Sequence, residues 1–142
     1  MLRLQVNRGL DGKFRKPIEL LEGFRDLYLH EMAAQLVLYS PVDTGTYITG
    51  HHVGLDAVEP SRSSAGKERN QDHARFAQEA MDGLSREIEQ LPEDALRVVF
   101  SNDAYHWEVV EFELPHAPYR KTANQHKRMA QKAEQTARAR NR

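Results

Sequence analysis

Between Pro17 and Pro41 the chain sets Leu21, Phe24, Tyr28, Met32, Leu36 and Tyr39 three or four residues apart, and this spacing limits the possible folds more than any other feature. Recurrence at that interval puts apolar side chains on one face of a helix. Proline suits the first turn at Pro17, and the residue ahead of Pro41 is pushed out of helical geometry. The spacing therefore predicts a helix over 17–39. A second stripe, Phe76 or Ala77, Ala80, Leu84, Ile88 and Leu91, predicts another helix over 73–91, closed by Pro92. At 142 residues the chain fits one domain, 1–142, and a chain of this size buries roughly 70% of its unfolded surface without a covalent staple.

The remaining apolar segments read as strands. Leu96 to Phe100 and Tyr105 to Phe112 are rich in β-branched and aromatic residues. Ser101-Asn102-Asp103-Ala104 between them favours a turn, so the pair predicts a β-hairpin. Thr46 to Leu55 predicts a further strand, weakened by Gly50 and Gly54. Residues 1–16 contain Gly9 and Asp11-Gly12 and read as an N-terminal arm or edge strand. Residues 57–72 lack a hydrophobic period and read as an exposed, flexible loop. The expected class is α+β: two main helices packed on a small, mostly antiparallel sheet, with a mobile loop and a protruding basic C-terminal helix from about Lys121, which shows no apolar stripe.

Charge is distributed unevenly. Residues 119–142 carry eight Lys or Arg against the single acid Glu134, while 1–118 carry twelve against twenty acids. An acidic body thus ends in a basic extension made of Arg120, Lys121, Lys127, Arg128, Lys132, Arg138, Arg140 and Arg142. Such an arm suits a nucleic acid or an acidic protein surface, and equally a solvated helix end. The absence of cysteine excludes disulfides and thiolate chemistry. No apolar run approaches the eighteen or so residues that span a bilayer, and no signal-peptide core follows Met1, so a soluble, cytosolically made protein is expected.

Catalytic and ligand-binding patterns are missing from the sequence. Of the seven histidines, His51 and His52 are adjacent beside Asp56; on a strand they point to opposite faces and do not chelate one ion together. A structural or surface role is expected for them. Asp43-Thr44-Gly45 matches the catalytic turn of aspartic proteases, but a helix pattern and Pro41 precede it here instead of an apolar strand, so Asp43 reads as a turn former. Neither a nucleophile elbow nor a phosphate-binding glycine loop occurs. Glu108 and Glu111, three apart on the predicted strand, would face opposite sides and make a poor acid–base pair. No enzyme activity, cofactor or metal is expected.

Two segments about sixty residues apart carry a resemblance. Pro41-Val42-Asp43-Thr44-Gly45 follows the first helix, and Asn102, Tyr105, Val110, Glu111, Phe112, Pro118 and Tyr119 follow later in order. This arrangement resembles the tail-completion and head-tail joining proteins of tailed bacteriophages, the minor tail protein Z-like group, over about two-thirds of the chain. Members commonly pair a Pro-Val-Asp-Thr-Gly stretch with Asn-x-x-Tyr-Ala-x-x-Val-Glu-x-Gly and a Pro-Phe segment. Here Glu113 stands where glycine is usual and His106 where alanine is usual.

The resemblance implies a structural virion protein of the neck or tail top, made in the host cytoplasm, that forms a homo-oligomeric ring of six and joins the head connector or adaptor to the tail tube. It implies an assembly role for the 41–45 turn. Tyr105, Trp107, Glu108, Val110, Glu111 and Phe112 become hairpin-strand residues at subunit contacts, and the basic extension meets packaged DNA in the channel or a neighbouring protein. It implies no membrane and no small-molecule substrate. A small nucleic-acid-binding protein using the basic tail is the alternative.

Overall fold

The structure, a computed structural model, describes residues 4–5, 23–41, 46–59, 73–95 and 97–140. Helix α1, Phe24–Tyr39, starts after Gly23, whose φ of 77° is a left-handed conformation that glycine adopts without penalty. It stops where Ser40 turns extended ahead of Pro41. The portion of the predicted helix before residue 23 lies outside the described residues. Besides the expected stripe, α1 buries Leu29, Ala33 and Val37. A helix with two apolar faces must be covered on both.

Helix α2, His73–Glu89, covers one of those faces with the predicted residues Phe76, Ala80, Leu84 and Ile88. The other is covered by the C-terminal segment, made of α3, Pro118–Asn124, and α4, His126–Arg140. The expectation of a protruding terminal helix without an apolar stripe is therefore corrected. Met129, Ala133 and Ala137 recur every fourth residue, are buried, and belong to the same core as α1 and α2. Alanines scarcely register in a hydropathy pattern, yet their small size lets two helix backbones approach closely. Glu31 to Lys132 at 3.2 Å and Gln125 to the Tyr39 hydroxyl add polar ties across the same boundary.

The sheet is small and antiparallel, in the order β1-β3-β2. Strand β2, His51–Gly54, pairs with β3, Val99–Asn102, from His51 opposite Asn102 to Gly54 opposite Val99. Strand β1, Leu4–Gln5, pairs with the other edge of β3; the rest of the segment expected as an arm or edge strand, residues 1–3 and 6–16, lies outside the described residues. All four β3 residues are buried. The chain is thus α+β, with helices packed on a small sheet.

Two strand expectations are corrected. Thr46 to Leu55 is extended only from His51; Ile48–Gly50 forms a 3-10 turn closed by Gly50 N–H donating to Tyr47 O at 3.0 Å. Residues 105–112 are not a hairpin strand. Trp107 N–H bonds Ala104 O, Val110 N–H bonds His106 O, and Val109–Glu113 winds as one π turn closed by Leu114 N–H on Val109 O. The buried residues here are Ala104, Trp107, Val110 and Glu111, a helical interval that the β-branched pair Val109-Val110 obscured.

Because α4 is core rather than arm, Ala133→Asp is expected to destabilise the protein by about 3 kcal/mol or more, through a carboxyl group buried without a partner. Exposed Gln131→Asp serves as the control. Urea unfolding midpoints of the two variants check this.

Candidate functional site

At the start of β2, His51 is buried with every polar atom of its ring engaged. Ser40 Oγ donates to Leu36 O at 2.6 Å, leaving its lone pairs to face His51 Nε2 at 2.7 Å. Nε2 therefore carries the ring proton, and Nδ1 accepts. Its donors are the Tyr119 hydroxyl at 3.0 Å and the Asn102 amide at 3.2 Å. The same Asn102 amide donates to Tyr47 O at 2.8 Å, and Asn102 Oδ1 accepts from Ala104 N–H at 2.8 Å. One imidazole thus joins the end of α1, both long strands, the 3-10 turn and α3.

The node leaves little room around it. Gly50 lies against the Asn102-Asp103 turn, where a Cβ would come within 2.6 Å of Asp103 Oδ1 and 2.9 Å of Asn102 Oδ1. Burial holds the His51 imidazole down at about 3, helped by the neighbouring His52 and opposed by Asp103. Burial likewise pushes the Tyr119 hydroxyl up, which keeps it a donor. A Ser–His contact of this kind is not a nucleophile with its base: the serine proton points to a helix carbonyl and the ring proton points to the serine.

His52 projects to the opposite side, as strand alternation requires. Its Nε2 contacts Asp103 Oδ2 at 2.8 Å and its Nδ1 contacts Glu87 Oε1 at 3.1 Å, while Glu87 Oε2 accepts from Val53 N–H at 3.3 Å. The bonds to Asp103 and then Glu87 push this imidazole up to about 10, against partial burial. As an imidazolium it clamps α2 to the β2–β3 end. The clamp lines an open cleft of about 580 Å³, together with Thr49, Glu79, Asp82 and Arg86.

Glu111 is the second buried polar centre. Its carboxyl oxygens accept from Tyr119 N–H at 3.1 Å and Arg120 N–H at 2.9 Å, and Arg120 Nη2 reaches Glu111 O at 2.6 Å. It therefore satisfies unpaired donors at the start of α3, where Pro118 occupies the first helical position. This corrects the sequence reading of Glu108 and Glu111 as strand residues on opposite sides: Glu108 is exposed and Glu111 is fully buried.

With Trp107, Val110 and Glu111 turned inward, the same segment turns Tyr105, Val109, Phe112 and Leu114 outward. Phe112 is 57% exposed, yet fixed by an edge contact with Trp107 and by Arg120 over its ring at 5.7 Å. Four large apolar side chains within ten residues, held on a braced turn, form a candidate assembly surface.

The other sequence-predicted residues separate. Pro41 follows Ser40 at the end of α1, whereas Val42, Asp43, Thr44 and Gly45 lie outside the described residues, as does Arg142. Loop residues 60–72 also lie outside them. Much of the basic extension is engaged within the protein: Arg120 with Glu111, Lys121 over the Tyr39 ring, Lys132 with Glu31 and Arg138 with Glu134. Lys127, Arg128 and Arg140 remain exposed on α4. Among the described residues, no group of three His, Asp or Glu could hold a metal ion, and no helix is long and apolar enough to cross a membrane.

No family model, curated protein or solved structure matches the chain. Residue pattern identified Asn102 and Tyr119 as positions of interest, but it gave no sign that they meet at His51. That meeting joins residues 68 apart in sequence, beyond the reach of any local period.

The two histidines bias stability in opposite directions. Folded His52 keeps a proton that the unfolded chain releases above about 6.5. Its contribution is complete below that pH and is lost as pH rises through about 10. Folded His51 refuses a proton that the unfolded chain accepts, so its contribution is complete above about 6.5 and is lost as pH falls toward about 3. His52→Gln is expected to flatten the decline in urea midpoint between about pH 7 and 9 and to leave the acid limb in place. An alkaline slope unchanged in the variant would contradict the clamp.

Proposed function

We propose that this chain is a structural virion protein of a tailed phage, a tail-completion or neck subunit that assembles into a homo-oligomeric ring and joins the head connector to the tail tube. The observation that carries the proposal is the braced apolar turn, where Tyr105, Val109, Phe112 and Leu114 lie open above buried Trp107, Val110 and Glu111, the last fixed to the start of α3. The chain spends buried His51, Asn102, Tyr119 and Glu111 on hydrogen bonds that brace the turn from below.

The positions behind the phage resemblance support the same reading. Asn102 and Tyr119 meet at His51, Val110 packs with Tyr47, Ala104 and Trp107, and Glu111 and Pro118 start α3. They form one continuous scaffold beneath the turn, a role suited to a subunit whose shape is its function. This reading assigns the chain no catalysis. Nucleic-acid binding through the C-terminal extension is less well supported, since Arg120, Lys121, Lys132 and Arg138 are already occupied by protein groups.

Light scattering coupled to size exclusion, with negative-stain images of the same peak, tests the proposal. The expected result is a closed ring of about six copies of the 16.3 kDa chain. Phe112→Asp with Leu114→Asp is expected to abolish the ring without lowering the melting temperature. A wild-type monomer, both alone and with head-connector protein, would contradict it.

A further inference from the structure

Helices α2 and α4 pack on α1 and share one core with it, and their polar faces turn outward with opposite charge. On α4, Lys127, Arg128, Lys132, Arg138 and Arg140 stand against the single acid Glu134. Lys127, Arg128 and Arg138 lie on the arc away from buried Met129, Ala133 and Ala137. Lys132 is held by Glu31 and Arg138 by Glu134, while Lys127, Arg128 and Arg140 make no ion pair with the described residues.

The C-terminal half of α2 has the reverse character. Asp82 and Glu89 are exposed two turns apart, opposite the buried Ala80, Leu84 and Ile88, and exposed Glu93 and Asp94 follow in the next turn. Arg86 is the one basic residue in the last turn. The carbonyl end of a helix carries partial negative charge and so adds to this field. Within this stretch, Arg25 reaches the Pro92 and Glu93 carbonyls at 2.6 and 3.3 Å, which fixes the turn to the start of α1 and gives the acidic face a rigid backbone.

We propose that the outer face of α4 docks against the C-terminal end of α2 and its following turn in a second copy of this chain. The contact is head-to-tail. Two different complementary faces on one subunit generate a ring when the rotation between copies closes. The proposal rests on the ring reading above and specifies the lateral contact within it, separate from the apolar turn. Interactions between such exposed charges set orientation and encounter rate and weaken with salt.

Two surface variants of the full chain test it, one carrying Lys127→Glu with Arg128→Glu, the other Glu89→Lys with Glu93→Lys. Sedimentation velocity at low and high salt is expected to show wild-type association that salt weakens. Each variant alone should associate about tenfold less tightly or worse. Mixing the two should restore association, because the acidic α4 of one then meets the basic α2 end of the other and the converse pair is native; misfolding cannot produce that rescue. Salt-insensitive rings that persist in both variants would overturn this contact while leaving the ring reading in place. A wild type that stays monomeric, and whose binding to a duplex DNA probe is lost in the Lys127/Arg128 variant, would overturn the second-copy occupant and assign the face to a polyanion.

Discussion

A neutral imidazole sealed inside the protein is the constraint on which the rest of the structure depends. His51 has one donor and one acceptor, and the fold supplies Ser40 from the end of α1 for the first and Asn102 and Tyr119 for the second. Leaving any of these buried polar atoms unpaired would cost about 1–3 kcal/mol, so the elements that carry them are not independently adjustable. Ser40 beyond the end of α1, His51 at the start of β2, Asn102 at the end of β3 and Tyr119 in α3 are thereby held together at one ring.

From that node the order passes outward through Tyr119 to Glu111. Tyr119 donates its hydroxyl to His51, while its own backbone N–H is held by the Glu111 carboxyl group. Glu111 reaches the start of α3 because the Val109–Glu113 turn is wound with one extra residue, and Ala117 completes the connection in a left-handed conformation with φ of 36°. A residue other than glycine is rare in that region, and here both sides of it are fixed by hydrogen bonds. The consequence at the surface is an apolar turn that cannot retreat into the core, since the inward places are filled by Trp107 and Val110.

Much of the scaffold is legible in the sequence. The α1 and α2 stripes are strong because Phe, Tyr, Met, Leu and Ile carry them, and α2 begins at the expected residue and ends two before the expected one. Leu29, Ala33 and Val37 look like continuity of the α1 stripe and do not by themselves call for a further helix, and the terminal helix that joins their core offers only Met129, Ala133 and Ala137 as a signal. In the 105–112 segment a short run of aromatic and β-branched residues fits a strand period and a helical turn about equally well, so its pattern does not distinguish the two. Of the residues expected at subunit contacts, Trp107, Val110 and Glu111 are buried, while Tyr105, Glu108 and Phe112 are exposed beside Val109 and Leu114. That His51 and His52 face apart follows from strand alternation alone. Which of them is buried and neutral, and which is held charged between carboxylates, depends on Glu87, Asp103 and Tyr119, all distant in sequence.

The central claim is that a single neutral tautomer of His51 organises the fold, and long-range proton–nitrogen NMR of the histidine rings across a pH titration tests it most directly. The account predicts that His51 shows a protonated Nε2 and a bare Nδ1 throughout the range from about pH 4.5 to 8, while the native spectrum persists. A His51 ring that titrates near the unperturbed value of about 6.5, or that carries its proton on Nδ1, would contradict it.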